Sequence, residues 1–255
     1  MIDALYIAAS GLQGEQTQID TISNNMANMQ TPGFKRSRVS FQNIAAITPQ
    51  EVAAGQQALS AGEGTETLPV HADFTDGTLK QTSNPLDLAV QGKGFFEVTT
   101  EAGDRLYTRD GQFHVDAQGY LVTAGGNRLS SDLQIPPDAK DVKIDTNGRV
   151  MATLGTDTEP TELGQIELAV FPSDSGLQPV GNNAFMPTAD SGEPSIGRPN
   201  QSGFGTVHQG MVEQANVDMV HEMTSLVLAQ RAYQLNARVL QAADQILDTI
   251  NNLRR

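Results

Sequence analysis

Hydrophobic residues recur every seven positions at both ends of the chain. In the stretch from 216 to 253, which contains neither proline nor glycine, they form one row: Leu226, Tyr233, Leu240 and Leu247. Near the N-terminus a second row stands within a proline-free segment: Leu5, Leu12, Ile19 and Met26. A seven-residue spacing of apolar positions predicts helices that pack along a coiled-coil seam. We therefore predict two long terminal helices that use these eight residues as their assembly interface.

Local signals place the inner ends of the two predicted helices. Thr31-Pro32-Gly33 follows the first helix. Proline disfavours a helical conformation in the residue before it, and Pro-Gly favours a type II turn, so we expect this helix to end near residues 28–30. The second helix has two candidates for its N-cap, Asn216 and Asp218. Residues 35–38 hold a cluster of basic side chains, which either stay solvated or contact an acidic neighbour.

Between the predicted helices the pattern changes to short alternating runs of apolar and polar residues. From about 70 to 212 these runs are separated by glycine-containing turns, which is typical of antiparallel hairpins. The turns are Gly92-Lys93-Gly94, Asp110-Gly111, Gln118-Gly119, Gly125-Gly126-Asn127 and Asn147-Gly148. Residues 172–205 are rich in Gly, Pro, Ser and Asn and are predicted to have little regular structure. A last strand is expected near Thr206–Val212.

The predicted fold class is α+β, with paired N- and C-terminal helices as a coiled-coil domain and a central all-β domain of short antiparallel strands. We assign residues 1–34 and 216–255 to the helical domain and residues 70–215 to the β-domain. Residues 35–69 are predicted to be a linker or an extended arm. The reason is that most of this stretch is small, polar and only weakly periodic.

Composition narrows the range of functions. The formal net charge of -14 argues against binding to nucleic acid or to an anionic membrane. The chain contains no cysteine, no phosphate-binding loop and no GxSxG motif. Its histidines lack the spacing of metal ligands: His71, His114, His208 and His221. We therefore predict no catalytic residues, no metal, no cofactor and no small-molecule substrate.

Two features bear on localisation. No run of 18 apolar residues exists that would span a membrane. The N-terminal residues lack the positively charged region and sustained apolar run of a secretory signal peptide. If the protein leaves the cytoplasm, we expect it to be exported by another route, without a cleaved signal peptide.

The helical seams leave three functional hypotheses open. Two helices with seams this long do not bury all their apolar surface alone, so they favour contacts with other copies of the chain. A self-complementary contact would give a closed adaptor oligomer, whereas a head-to-tail contact would build an open filament. The third hypothesis is a β-sandwich hydrolase, because carboxylates are plentiful, although the sequence marks no particular pair.

Three separated motifs resemble those of the bacterial flagellar rod and hook proteins. The first lies within Ile22–Arg36, and its characteristic residues are Asn24, Asn25, Asn28, Thr31, Pro32, Gly33 and Phe34. The second comprises Asn84–Phe96 and Tyr107–Gly111, and the third comprises Val212–Asp218 and Ala229–Gln234. The resemblance covers nearly the whole chain. Its length and C-terminal motif are most similar to the distal-rod branch of this family, with the proximal-rod branch and hook-type proteins as alternatives.

The resemblance implies a structural role in the basal body. A family member would be a subunit of a hollow helical rod that crosses the periplasm and transmits torque from the motor to the hook. Its partners would be further copies of itself, other rod proteins, the hook protein and the surrounding ring proteins at the peptidoglycan and the outer membrane. The flagellar type III export apparatus would deliver it, which agrees with the missing signal peptide.

Overall fold

A computed structural model describes residues 2–43, 64–131, 133–155 and 160–253. The chain divides into two compact units. One unit consists of residues 1–27, 37–71 and 218–255, and the other consists of residues 28–36 and 72–217. We call them the helical unit and the β-unit. The second stretch of the helical unit includes most of the predicted arm, and residues 44–63 of that arm lie outside the described part.

The helical unit is built around two long helices, α1 (Ile2–Ala27) and α2 (Met219–Leu253), which pack against each other. α1 ends next to the predicted residues, and α2 begins directly after its cap. The carboxylate of Asp218 accepts hydrogen bonds from the backbone N–H of Val220 (2.8 Å) and of His221 (3.2 Å), so Asp218 is the N-cap.

Short strands accompany α1 in the same unit. They are β1 (Ser37–Arg38), β2 (Phe41–Asn43) and β3 (Thr65–Thr67), and β4 (His71–Ala72) lies at the boundary between the units. β2 and β3 pair antiparallel, which joins the two described ends of the predicted arm. A Cβ atom on Gly14 would lie 2.8 Å from the ring of Phe41, so glycine lets this ladder approach α1 closely.

The β-unit contains antiparallel strands in one large sheet and several small ones. In chain order they are β5 (Leu79–Gln81), β6 (Leu88–Gln91), β7 (Phe95–Thr99), β8 (Arg105–Thr108), β9 (Phe113–Val115), β10 (Leu121–Thr123), β11 (Arg128–Leu129), β12 (Ala139–Ile144), β13 (Arg149–Leu154), β14 (Thr161–Gln165), β15 (Leu168–Val170), β16 (Gln178–Gly181), β17 (Ala184–Met186), β18 (Ser195–Gly197), β19 (Thr206–Gln209) and β20 (Met211–Glu213).

The largest sheet in the described part has the order β16-β17-β8-β7-β11-β10-β9, with β15 also beside β7 and β18 beside β15. β12, β13 and β14 form a three-stranded sheet, while β19 pairs with β6 and β20 pairs with β5. The fold is therefore α+β, with terminal helices and a strand-rich middle.

The predicted turns have two different outcomes. Gln118-Gly119, Gly125-Gly126-Asn127 and Asn147-Gly148 each close an antiparallel hairpin, as expected. By contrast, Gly92-Lys93-Gly94 and Asp110-Gly111 connect strands that pair elsewhere, because β6 pairs with β19 and β8 lies between β7 and β17. These two turns are real, but the hairpins predicted from them are wrong.

The prediction of little regular structure over 172–205 is also wrong. This stretch contains a 3₁₀ turn at Asp174–Gly176 and the strands β16, β17 and β18. β16 and β17 form a hairpin that joins the largest sheet through β8. Its turn uses Asn182 and Asn183, both with positive φ (50° and 54°), a conformation that asparagine tolerates better than most residues.

Two apolar cores lie on opposite faces of β7, where neighbouring residues point in opposite directions. Phe96 belongs to the larger core, whose other buried members include Leu88, Phe113, Leu121, Val150, Ile166 and Leu168. Phe95 belongs to the smaller core, an aromatic group with Tyr107, Phe171, Leu177 and Phe185. Ring centroids of Tyr107 and Phe171 are 4.8 Å apart in an edge-to-face arrangement. β7 is therefore buried on both faces and is the central strand of the β-unit.

Tyr107 gives the smaller core a measurable pH dependence. Burial, followed by the nearby Glu97 carboxylate, raises the pKa of Tyr107 from 10.0 to about 12. Between these values the folded chain keeps a proton that the unfolded chain releases, so stability is lost as the pH rises from 10 to about 12. We expect the ultraviolet titration difference between the wild type and Tyr107→Phe to have a midpoint near pH 12. A midpoint near pH 10 would show that the phenol is solvated.

Candidate assembly surface

The packing seam of the helical unit contains two rows on each helix, spaced alternately three and four residues apart. In α1 the rows are Leu5, Leu12, Ile19 and Met26 together with Ala8, Glu15 and Ile22. In α2 they are Leu226, Tyr233, Leu240 and Leu247 together with Glu222, Ala229, Asn236 and Ala243. A Cβ atom on Gly11 would lie 2.9 Å from the amide nitrogen of Asn236, so the two helices approach closely at this level.

The eight predicted interface residues flank the deepest part of this seam. Tyr233 is 38% exposed, and the other seven are half-buried. The most buried apolar positions belong to the second row and are Ala8, Ile22 and Ala229. Sequence reasoning missed this row because small or polar residues occupy much of it. The alternating three-four spacing from the predicted residues was the signal that could have identified it.

A separate line of large apolar residues on α2 is exposed. It comprises Val220, Leu228, Leu235, Val239 and Ile246, which are between 51% and 74% exposed. At about 100° per residue these positions share one side of the helix, roughly a third of a turn from the seam. We call this line the exposed stripe. A continuous apolar line of this length on a soluble surface is typical of an interaction site.

The N-terminal motif divides between the two units. Within the helical unit, Asn24 is exposed, whereas Asn25 is buried and its side chain spans the backbone of Ser37. Asn25 Nδ2 donates to the Ser37 carbonyl (2.9 Å), and Asn25 Oδ1 accepts from the Ser37 N–H (2.9 Å). This pair of hydrogen bonds holds the β1 segment beside the end of α1.

We expect Asn25→Ala to destabilise the helical unit by about 1–3 kcal/mol, because it leaves the Ser37 backbone groups without these partners. Hydrogen exchange measures this directly as faster exchange of the Ser37 amide. Gln13→Ala at an exposed position of α1 is the matched control and should leave that amide unchanged. Equal exchange rates in wild type and Asn25→Ala would contradict this role.

The remaining motif residues, Asn28–Phe34, belong to the β-unit. The Thr31 carbonyl accepts from the Phe34 N–H (3.3 Å), and Gly33 has φ 70°, as expected for the third position of a type II turn. The Pro32 carbonyl accepts from the side chain of Asn183 (2.9 Å), while the Gly33 N–H donates to the Glu213 carbonyl (2.8 Å). A Cβ atom on Gly33 would lie 2.4 Å from the Asp110 nitrogen, so only glycine fits.

A buried ionic cluster ties this loop to the strand that precedes α2. Lys35 Nζ is 2.6 Å from Glu213 Oε1 and donates to the Thr75 carbonyl (2.8 Å). Arg109 lies 3.4 Å from Glu213 Oε2 and donates to the Gly92 carbonyl (2.8 Å). The side chains of all three charged residues are at most 4% exposed. The basic cluster at residues 35–38 was expected either to stay solvated or to contact an acidic neighbour. Lys35 contacts an acidic neighbour, Glu213.

Within this cluster, the attraction between opposite charges offsets the cost of burying them. Burial lowers the pKa of Lys35, and the attraction of Glu213 opposes that shift. Glu213 Oε1 also accepts from the Gly77 N–H (2.8 Å), so this oxygen binds two donors. Asn216 adds a neighbouring clamp, because its Oδ1 accepts from the Arg36 N–H (2.7 Å) and its Nδ2 donates to the Asp73 carbonyl (2.7 Å). Asn216 thus fixes the loop instead of capping the helix.

The carboxylates of Asp87 and Asp110 in the β-unit make local contacts. Burial raises the pKa of Asp110, yet Asp110 Oδ1 accepts from the Gln112 N–H (3.1 Å). The neighbouring Asp87 accepts from Asn84 Nδ2 (2.8 Å). Both contacts are local, and the contact of Asp110 with the backbone of Gln112 is an Asx turn. They give no support to the hydrolase hypothesis.

Within the part of the chain that the structure describes, no group of three or more histidine and acidic residues could hold a metal ion. Over the same residues, neither α1 nor α2 is apolar enough over a sufficient length to cross a bilayer.

Comparison with known proteins identifies the class of protein that contains these elements. Residues 5–35 match the family described as flagella basal body rod protein. Residues 89–152 match the D1 domain of the flagellar hook protein FlgE/F/G, and residues 208–253 match the C-terminal part of the flagellar basal body rod FlgEFG proteins. The three matches cover both helices and the centre of the β-unit. They define a structural protein of the flagellar rod and hook class.

Full-length relatives narrow the assignment. The chain is 39% identical to the flagellar basal-body rod protein FlgG of Caulobacter vibrioides, with 99% of this chain and 100% of that protein covered. It is 34% identical to FlgG of Bacillus subtilis, with both chains fully covered (100%). Identity to the rod protein FlgF of Mesorhizobium japonicum is 30%, with 99% of each chain covered. The chain belongs to the flagellar basal-body rod protein family and resembles these FlgG relatives more than this FlgF relative.

Proposed function

We propose that the chain is a structural subunit of the distal rod that polymerises into a hollow helical drive shaft and has no catalytic activity. This proposal rests on the exposed stripe, because a subunit of a rod needs an apolar surface that another subunit covers. Greater identity to the FlgG relatives than to the FlgF relative favours the distal part of the rod.

In this proposal the terminal helices are the assembly element. α1 and α2 form a coiled-coil layer, and the eight predicted residues pack within a subunit and between subunits. The half-buried state of seven of them supports this, because each keeps apolar surface that a neighbour can still cover. A head-to-tail contact of this kind repeats without closing, which produces an open helical assembly.

The proposed partners follow from family membership. Other rod proteins and the hook protein would contact the ends of the distal rod, and the ring proteins would surround it. The flagellar export apparatus would deliver the subunit. The net charge of -14 supports a hydrophilic outer surface that resists sticking to surrounding proteins.

Leu240→Ala tests the role of the helical seam. Leu240 is half-buried in the single chain, and its complete burial in the polymer would make the substitution cost about 2–5 kcal/mol in assembly. We expect the variant to polymerise poorly, as followed by sedimentation, while the β-unit unfolds at the wild-type urea concentration. Val115→Ala, at an exposed position of β9, is the control and should polymerise normally. A loss confined to the stability of the β-unit would refute the assignment.

A further inference from the structure

We propose that the exposed stripe of α2 is covered by the outer face of α1 from a second copy of the chain. This inference rests on the proposed function and names the two surfaces that meet. The outer face of α1 is the line of exposed residues about a third of a turn from the seam: Tyr6, Ala9, Gln13, Gln16, Asp20, Ser23 and Ala27.

The two surfaces have matching lengths. Val220 and Ile246, the ends of the exposed stripe, are separated by 26 residue steps, or about 39 Å of helix. α1 has 26 residues and is therefore also about 39 Å long. A single copy of α1 can cover the stripe from Leu228 to Ile246 when Asp20 lies opposite Arg231, and Val220 then lies beyond the end of α1.

The two surfaces carry opposite charges. Asp20 is the charged residue on the outer face of α1, and α1 contains neither lysine nor arginine. The exposed stripe is flanked by Arg231 and Arg238, both exposed, and neither forms a salt bridge with another residue in the described ranges. Asp20 accepts a hydrogen bond from its neighbour Gln16 (2.9 Å) and remains open to a cation from outside. The one carboxylate on the outer face of α1 can thus meet an apolar line that has two arginines along one side.

One antiparallel register satisfies the polar and apolar positions together. If Asp20 lies opposite Arg231, helices that run in opposite directions place Gln13 opposite Arg238. The same register brings Gln16 beside Leu235, and its long methylenes can pack on that side chain. Tyr6 then falls within one residue of Ile246, which joins the exposed aromatic ring of α1 to the apolar end of the stripe.

The two kinds of contact contribute differently. Exposed ion pairs add little affinity, so most of the affinity comes from the apolar stripe. The charges select the partner surface, because like charges brought together at an interface are strongly unfavourable. Reversing charges on one surface should therefore block assembly, and reversing them on the other surface of a second copy should restore it.

A mixing experiment with two full-length variants tests this selection. Variant one carries Arg231→Glu with Arg238→Glu, and variant two carries Asp20→Lys. We expect each alone to need at least about tenfold more protein than the wild type to polymerise, because identical copies now present like charges. An equimolar mixture should polymerise near the wild-type concentration, since every contact in an alternating polymer pairs opposite charges. Asp248→Lys, an exposed control on α2, should polymerise alone.

Each outcome decides the matter. Rescue in the mixture supports the proposed contact, since neither misfolding nor pairing within one chain would be repaired by adding the other variant. Normal polymerisation of either variant alone, or no rescue in the mixture, overturns the contact while the proposed function stands. Failure of the wild type to polymerise at any concentration overturns both.

Discussion

Glu213→Gln should destabilise the β-unit by about 3–5 kcal/mol, because it leaves two buried cations without their shared counter-charge. Lys35 and Arg109 both contact this carboxylate, and their side chains are 1% and 4% exposed. The glutamine side chain has nearly the same volume as that of glutamate. The loss of stability therefore measures the effect of the missing charge and not of altered packing. Urea unfolding followed by the circular dichroism of the strands gives the free energy directly.

Asp76→Asn is the matched control for this prediction. Asp76 lies 3.7 Å from Arg109 but is 52% exposed, so removing its charge should cost less than about 1 kcal/mol. Adding Lys35→Met to Glu213→Gln should recover part of the stability, because it removes one of the two unbalanced cations. Equal effects of the Asp76 and Glu213 substitutions would contradict a buried, balanced cluster.

Leu228→Ser combined with Leu235→Ser should abolish polymerisation at concentrations that suffice for the wild type. Both side chains are about 60% exposed in the single chain. About 60% of each side chain remains to be buried in the polymer, which is worth about 0.9–1.8 kcal/mol, so the pair contributes about 2–4 kcal/mol per contact. That loss raises the concentration needed for polymerisation by about 30-fold to 500-fold. Sedimentation over a concentration series measures the shift.

The control for this prediction replaces two exposed apolar side chains of the β-unit by serine. Val115→Ser with Val180→Ser removes two other exposed side chains, 38% and 45% exposed, and should leave polymerisation unchanged. Urea unfolding should give the wild-type midpoint for the β-unit in the stripe variant, since neither leucine belongs to that unit. If both pairs of substitutions impaired assembly equally, the stripe would have no special role.

The helices and the connections at their ends could be predicted from the sequence because their signals are local. Heptad rows identified α1 and α2, Asp218 was one of two proposed caps, and Thr31-Pro32-Gly33 was correctly predicted to turn. Each of these features depends on residues within a few positions of one another. The second row of the seam was missed because Ala8 and Glu15 carry little hydrophobic signal.

The pairing of distant strands and the ionic cluster could not be predicted, because they depend on residues far apart in the chain. β6 pairs with β19, more than a hundred residues later, so the turn after β6 gave no indication of its partner. Lys35 and Glu213 are separated by 178 positions, and neither stands in a pattern that marks burial. The hairpin of β16 and β17 was hidden by a composition that is typical of loops.

Sedimentation velocity of the full-length chain over time and concentration shows whether the chain assembles openly through its helical unit. We expect a monomer at low concentration and, above a threshold, a growing population of tubular polymers visible by electron microscopy. One discrete mass that stays the same at every concentration would instead indicate a closed oligomer and would contradict the rod assignment.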